Sequence, residues 1–559
     1  MKKNFKRYLI TSALPYANGP VHIGHLAGCF LPADIYVKYL KLKKKDVVFV
    51  CGSDEHGVPI TITAEKESLS VQEVANKYHE IIKKSLKDFG ISFDIYSRTS
   101  SQLHKETASQ FFKTLYDKGI LDENITDNFY DVEKEKFLAD RYIKGTCPRC
   151  QYEEAYGDQC EKCGSSLNAT DLINPKSMLS NSKPILKKTK HWYLPLNNFQ
   201  KWLENWILLE HKDDWKQNVY QQCKSWLDAQ LQPRAITRDL SWGIPVPLDG
   251  AEGKVLYVWF DAPIGYISAT KEWAIQNNKN WELYWKSEDT RLIHFIGKDN
   301  IVFHCIIFPS MLKSHGEYIM PDNIPANEFL NLEGKKISTS KKWAIWLDDF
   351  IKKFPGREDA LRYAICSNLP EGRDADFTLK DFQKKNNNEL IAVLGNVVNR
   401  VLVLAEKFLK KEFSILEKDL LGKYEKDFLQ YLNNQKKNIE ESLENFRFKN
   451  ALLETMNITR RLNKYLDEKK PWSFSNEDFE PDKIIFFSLQ IIGNISILVY
   501  PFLPFSSKKI QKMIQLEEYN FFWENIGNLD LVKPNLNICN KEILFTKIED
   551  EEIDNLIFG

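Results

Sequence analysis

The sequence has no excess of charge of either sign: 77 lysines and arginines stand against 77 aspartates and glutamates. That balance removes the global electrostatic footprint of a nucleic-acid binder, so any polyanion site must be a local patch. Low-complexity tracts are few and no internal repeat is present, which excludes a repeat architecture. The basic start Met1–Arg7 imitates a signal peptide, but Thr11, Ser12 and Pro15 end the apolar run short of the roughly 7–15 residues an h-region needs. The run reads as a buried first strand. Residues 484–502 are apolar for nearly a membrane span, yet they contain Gln490, Gly493, Asn494 and Ser496 before Pro501. A buried bundle helix is expected there, and no membrane partner. A disulfide framework is also missing. Of ten cysteines, Cys29, Cys51, Cys223, Cys305, Cys366 and Cys539 are scattered among apolar neighbours, and four are clustered. That pattern fits a reducing, cytoplasmic compartment with one metal site.

The chain is 559 residues long, enough for about three or four domains. Near the N-terminus an apolar run (8–13), a turn, a helical pattern (22–43) and a second run (47–51) make a strand–helix–strand unit, which implies a parallel sheet. Strand-like runs resume at 255–260 and 292–297, so one sheet is expected to be split by an insertion. Beyond Thr378 the pattern is helical, with Val393, Leu394, Val397, Val398, Val401 and Leu402 at three- and four-residue spacing.

His22-Ile23-Gly24-His25 lies just after the first strand and a tight turn, at the start of a helix. Backbone N–H groups and the helix dipole there favour a phosphate. The two imidazoles share a face and can donate to phosphate oxygens as charge builds. Gly24 is expected to let a base or ribose lie close to the backbone. Chance would produce the string about 10⁻³ times in such a chain. Cys147, Cys150, Cys160 and Cys163 have the spacing C-x₂-C-x₉-C-x₂-C. Two such knuckles suit a closed, structural tetrahedral zinc. Asp54 follows the second strand at its carboxyl end, where open α/β sheets bind ligands. It can hold an ammonium or cap a turn. The aromatic run at 257–266 is either core or pocket wall.

The string at 22–25 resembles the HIGH signature of class I aminoacyl-tRNA synthetases, and residues 13–25 look like the methionyl branch of that family. The second signature of the class, KMSKS, appears as Lys336-Ile337-Ser338-Thr339-Ser340, with Thr339 where the second lysine belongs. A lysine-rich loop clamps pyrophosphate in the transition state, and Lys335 or Lys341 is available to compensate. The resemblance implies a Rossmann-type parallel sheet split by a zinc-knuckle insertion and followed by an all-α anticodon-binding bundle. The divisions it implies are 1–118, 119–232, 233–322, 323–380 (a linker domain with the loop) and 381–559. It implies ATP-dependent activation of methionine and transfer to tRNA(Met), initiator included, with magnesium accompanying ATP. His22, His25, Lys336 and Arg238 would serve catalysis, with Gly24, Asp299 and Thr339 also at ATP. Ala13, Leu14, Tyr16, Asp54, Trp259, Ala262, Pro263, Tyr266 and His304 would line the methionine pocket. Asn396, Arg400 and Trp472 would read the anticodon, with Arg447, Lys449, Arg460, Arg461 and Lys464 near for phosphates. A monomer is expected. Two rivals remain: a class I enzyme for another amino acid, and a non-catalytic tRNA-binding protein of the same fold. The insertion looks too short for an editing domain, and a closed Cys₄ site argues against a pocket zinc.

Overall fold

The structure is a computed structural model that describes residues 5–157, 160, 162, 163, 165, 167, 169–339, 342–409, 421–473, 480–534, 541–554 and 556. Cys539, Ser340 and Lys341 lie outside these. The central sheet is built from β1 (Arg7–Ser12), β2 (Asp46–Ser53) and β3 (Ile95–Arg98). Two later strands join it, Thr290–Gly297 and Ala326–Asn327, and the latter pairs only with the former. All pairings are parallel, and Leu9 of β1 lies between Val48 and Leu292. The neighbour of β1 therefore comes from far along the chain. Strands buried on both faces read as continuous apolar runs, which is why the periodicity of 2 is missing.

Between the two halves of the sheet, β4 (Asp122–Asp131) and β5 (Ile185–Leu194) pair antiparallel. Beyond their tips a small three-stranded sheet, centred on Ile143–Thr146, carries the cysteine cluster. The strand β6 at 290–297 was legible, whereas the run at 255–260 was not. Only Val255–Leu256 pairs as a strand, and α1 (Val258–Asn277) starts straight after Tyr257. Trp259 and Tyr266 thus sit on a helix, not at the end of a strand. That helix is apolar around most of its circumference and buried, so no amphipathic period separates helix from strand.

The helix after His22 is also buried on nearly every side. It includes Asp34 and Lys38, which pair with each other, and Arg362 Nη2 donates to Asp34 at 2.7 Å. Arg362 Nε donates to the Phe502 carbonyl at 2.8 Å. This fully buried arginine bonds the first helix of the sheet domain to the turn that follows the helix Glu480–Val499. Removing one member of such a buried group costs about 3–5 kcal/mol.

The C-terminal bundle contains α2 (Asn396–Phe408), α3 (Lys423–Glu444), α4 (Phe448–Lys469) and α5 (Glu480–Val499). Two stretches, 379–408 and 481–499, are long and apolar enough to cross a membrane; in the second, 94% of the apolar window is buried inside the bundle. Gln490 and Asn494 there bond the Val532 and Asn528 carbonyls, which explains polar residues in so apolar a helix.

Candidate active site

β1 ends at Ser12, and the following turn is tied to the end of β2: Ala17 N–H donates to the Asp54 carbonyl and Asp54 N–H to the Pro15 carbonyl, both at 2.8 Å. The helix then begins with a reciprocal cap. Gly24 N–H donates to His22 Nδ1 and His22 N–H to His25 Nδ1, each at 3.1 Å. Both Nδ1 atoms are acceptors, so in these neutral rings the proton sits on Nε2. Burial holds His22 well below the ordinary histidine range and lowers His25 to about 4. The pair thus offers neutral Nε2–H donors. A Cβ on Gly24 would lie 3.0 Å from the His22 ring and 3.4 Å from Ile337 Cδ1. The glycine is needed for the cap and for the incoming loop, a tighter reason than room for a ligand.

That loop is docked on the first signature. Ile23 N–H donates to the Ile345 carbonyl at 3.1 Å, Leu347 N–H to the Val21 carbonyl at 2.9 Å, and the Trp346 ring lies 5.6 Å from His22. Ser338 and Trp343 exchange both backbone hydrogen bonds, closing a turn that begins at Thr339. Lys336 is exposed with its ammonium 5.0 Å from the Phe329 ring centre, and Lys335 covers Trp343. Asp299 lies near Lys336, but burial pushes its carboxyl up.

A chamber of about 350 Å³ opens between the two signatures and the insertion. Of the expected residues it brings together Tyr16, His25, Arg238, Trp259 and Thr339. Arg238 stacks on Tyr257 at 3.8 Å and donates to the Ala235 and Thr237 carbonyls. Trp259 lies edge-on to Tyr16 and flat on Phe303, 3.8 Å away. Ala13, Leu14, Ala262, Pro263, Tyr266 and His304 do not border the chamber; they form a layer behind it, with Gly265 against Leu14. Tyr266 Oη bonds His304 Nε2 at 2.8 Å, and His304 Nδ1 bonds the Asn300 carbonyl at 3.0 Å. Nδ1 therefore carries the proton and Nε2 accepts from the tyrosine. Asp54 is buried beside Asp261 and His56. Sequence reasoning did not single out His56, Trp242, Arg141 or Phe303. The first three line the chamber and Phe303 backs Trp259, but none belongs to a contiguous signature.

The four clustered cysteines converge. Their sulfurs all lie within 4.8 Å of one another, with Cys147–Cys163 at 4.0 Å and Cys150–Cys160 at 3.5 Å. A tetrahedral zinc with bonds of about 2.3 Å needs sulfur–sulfur edges of roughly 3.8 Å. The donor set fits a closed structural site.

In the bundle, Asn396 and Arg400 both reach Asn463 Oδ1, at 3.2 and 3.4 Å. Arg400 also pairs with Asp467 at 2.7 Å and lies 5.6 Å over the Trp472 ring, which is 46% exposed. Asn463 and Asp467 were missed, because a helix distant in sequence supplies them. Of the basic residues nearby, Arg460 pairs with Glu389, Arg461 lies on Tyr431 and Lys464 pairs with Glu468. Arg447 stands at the start of α4, and Lys449 N–H bonds Glu371.

A parallel sheet with a histidine-capped helix at its carboxyl edge and a lysine loop docked on it is the arrangement of the class I synthetases. The family model for class I tRNA synthetases (M) matches residues 8–402, and that for the anticodon binding domain of methionyl tRNA ligase matches 417–557. The chain is 57% identical over 555 residues to the methionine–tRNA ligase of Bacteroides fragilis (strain YCH46), covering 99% of this chain and 81% of that protein. Identity to the methionine–tRNA ligase of Flavobacterium psychrophilum is 56% over 559 residues, covering 100% and 81%. In fold it is similar to Mycobacterium tuberculosis methionyl-tRNA synthetase bound by methionyl-adenylate, with a TM-score of 0.78 at 19% identity, covering 97% of this chain and all of that one. The chain belongs to the methionine–tRNA ligase family.

Proposed function

We propose that the chain activates L-methionine with ATP in the region between His22, Lys336 and Trp259, and passes the methionyl group to tRNA(Met), initiator included. The observation that carries this reading is the docking of the lysine loop on the histidine cap, which puts both signatures on one chamber. The methionine carboxylate attacks the α-phosphorus of ATP; the bond to the bridging oxygen breaks and pyrophosphate leaves. A hydroxyl of the terminal tRNA ribose then attacks the acyl carbon, and AMP departs. Neutral Nε2–H donors at His22 and His25 meet charge growing on the α-phosphate without a fixed cation. Such preorganised donors are worth most in a site shielded from water. Lys336 and Arg238 supply positive charge, and Thr339 offers a hydroxyl for a phosphate oxygen. Asp299 faces the ATP ribose or the amino acid. Magnesium comes with ATP.

The methionine thioether suits a wall of aromatic edges. Tyr16 and Trp259 present such edges at the chamber, Ala13, Leu14, Ala262, Pro263, Tyr266 and His304 complete the methionine pocket behind them, and Asp54 takes the ammonium. Asn396, Arg400 and Trp472 read the anticodon by hydrogen bonding and stacking. Cys147, Cys150, Cys160 and Cys163 hold one zinc, which supplies fixed geometry to the insertion and takes no part in the steps above. The reading includes the divisions at 118, 232, 322 and 380 and a cytoplasmic location. Pyrophosphate exchange across the amino acids tests it: methionine alone should support exchange, and exchange with another amino acid in its place would overturn the reading.

A further inference from the structure

Two carboxylates are buried behind the turn at Tyr16, and the reaction as described uses one of them. Asp261 sits on α1, one turn before Tyr266, and is fully buried. His56 Nδ1 lies 2.7 Å from its Oδ2, while its Oδ1 has no hydrogen-bond partner among the described residues. Asp54 is also buried, and its carboxylate takes the His56 backbone N–H at 3.3 Å. His56 therefore touches both acids, one with its main chain and the other with its ring. The ring borders the chamber and lies edge-on to Trp242, whose indole N–H donates to the Glu55 carbonyl at 2.7 Å.

The charges around the two acids are unevenly matched. Glu55 is paired with Arg98 at 2.8 Å and bonded by Ser100. His104 spends Nδ1 on Ser268. No lysine or arginine pairs with Asp54 or Asp261 among the described residues. Burial first, then repulsion from Asp261, pushes the Asp54 carboxyl well up; burial raises Asp261 too, with His56 opposing. A substrate ammonium brings one positive charge. Two uncompensated acids would take up a proton instead of presenting one fixed carboxylate.

We propose that His56 is a positioning residue of the amino-acid subsite: its ring engages Asp261 and offsets that acid, and through its backbone N–H it aims Asp54, so that one carboxylate faces the substrate ammonium. The inference rests on the reading of Asp54 as the ammonium partner. Without the imidazole, no side chain among the described residues engages either acid, one of the two binds a proton, and Asp54, which has no side-chain partner there even with the imidazole in place, is that one. Removing the imidazole and the charge of Asp261 together restores the count.

The test is methionine-dependent pyrophosphate exchange by Asp54→Asn, His56→Gln, Asp261→Asn and the double variant His56→Gln/Asp261→Asn. Loss of a charge-assisted contact predicts a KM for methionine raised about tenfold or more in His56→Gln, with kcat and the KM for ATP within about threefold. The double variant should return to within about threefold of the unaltered protein, a rescue that a purely structural role would not give. A His56→Gln KM that stays near normal overturns the inference, as does a double variant no better than the single one. If His56→Gln fails to fold, the double variant decides: a near-normal KM supports the inference and a large rise overturns it. If Asp54→Asn leaves the KM unchanged, the ammonium reading itself fails, whatever His56 does.

Discussion

All ten histidines lie between His22 and His315, and the helical bundle beyond has none. In the sheet domain most of these rings are buried. They cap a helix, bond a tyrosine or face a carboxylate, as His25, His304 and His56 do. In the bundle the groups proposed for recognition are an asparagine and an arginine, held by Asn463 and Asp467 on a neighbouring helix, and a half-exposed tryptophan beside that arginine. The difference suits the two tasks proposed for these regions. Charge that appears only in a transition state is best met by donors fixed in a dry site. A base presented on a loop is met by an exposed stacking surface with polar edges. One region is therefore sensitive to protonation and geometry, and the other to the loss of a surface.

The strongest way to break that comparison is His25→Ala. It removes the cap on His22 together with the proposed donor to the reacting phosphate, so pyrophosphate exchange should fall about 10²–10³-fold. A smaller drop would mean that the caps serve folding alone. Trp472→Ala is the counterpart in the bundle. Stacking on an aromatic ring is worth about 1–3 kcal/mol per base, so kcat/KM for aminoacylation should fall about 5- to 150-fold while exchange stays unchanged. An equal loss in both assays would tie the two regions together.

Acid should also separate the regions. His25 and His304 are lowered to about 4 and His104 to about 3, each by burial. Unfolded histidines protonate near 6.5, so these groups contribute stability that is intact above that pH and lost as pH falls toward 4. Each contributes about 1.4 kcal/mol per pH unit in that window. Hydrogen exchange at pH 7.5 and pH 5 should show protection falling in the sheet domain while the bundle changes little; uniform loss would refute the assignment. The smallest effect is expected from Thr339→Lys. A second lysine beside the chamber should raise exchange by up to about tenfold, since one charge-assisted contact is worth roughly 1.5–3 kcal/mol before the cost of ordering the side chain. A decrease would show that the loop is fitted to the threonine, whose Cγ2 lies 4.0 Å from where a Cβ on Gly19 would stand.

Much of this was legible because some signals are short-range. The capped helix at His22, the strands at 8–13 and 47–51, the cysteine spacing, and Asn396 with Arg400 on one helical face all sit in windows of a few residues. The run at 255–260 was misread as a strand, since an apolar segment buried on all sides has no period to betray it. Irregular helix was invisible too. π-helical turns at Leu26–Phe30, Phe303–Ile307 and Lys385–Gly395 adjoin or include His25, His304 and Asn396. Such turns are frequent at functional sites and have no residue signature.

By itself the sequence determined the parallel sheet, the four-cysteine cluster and the helical end of the chain, because propensity, spacing and local capping act over a few residues. Only the tertiary structure decided which nitrogen of His22 and His25 carries the proton, why Gly24 has no side chain, and that Ile337 and Trp346 press on that first turn. It alone brought His56 and Asp261 within 2.7 Å and set Asn463 beneath Arg400. These are contacts between segments far apart in the chain, and their energies depend on burial and partner geometry that no local window contains.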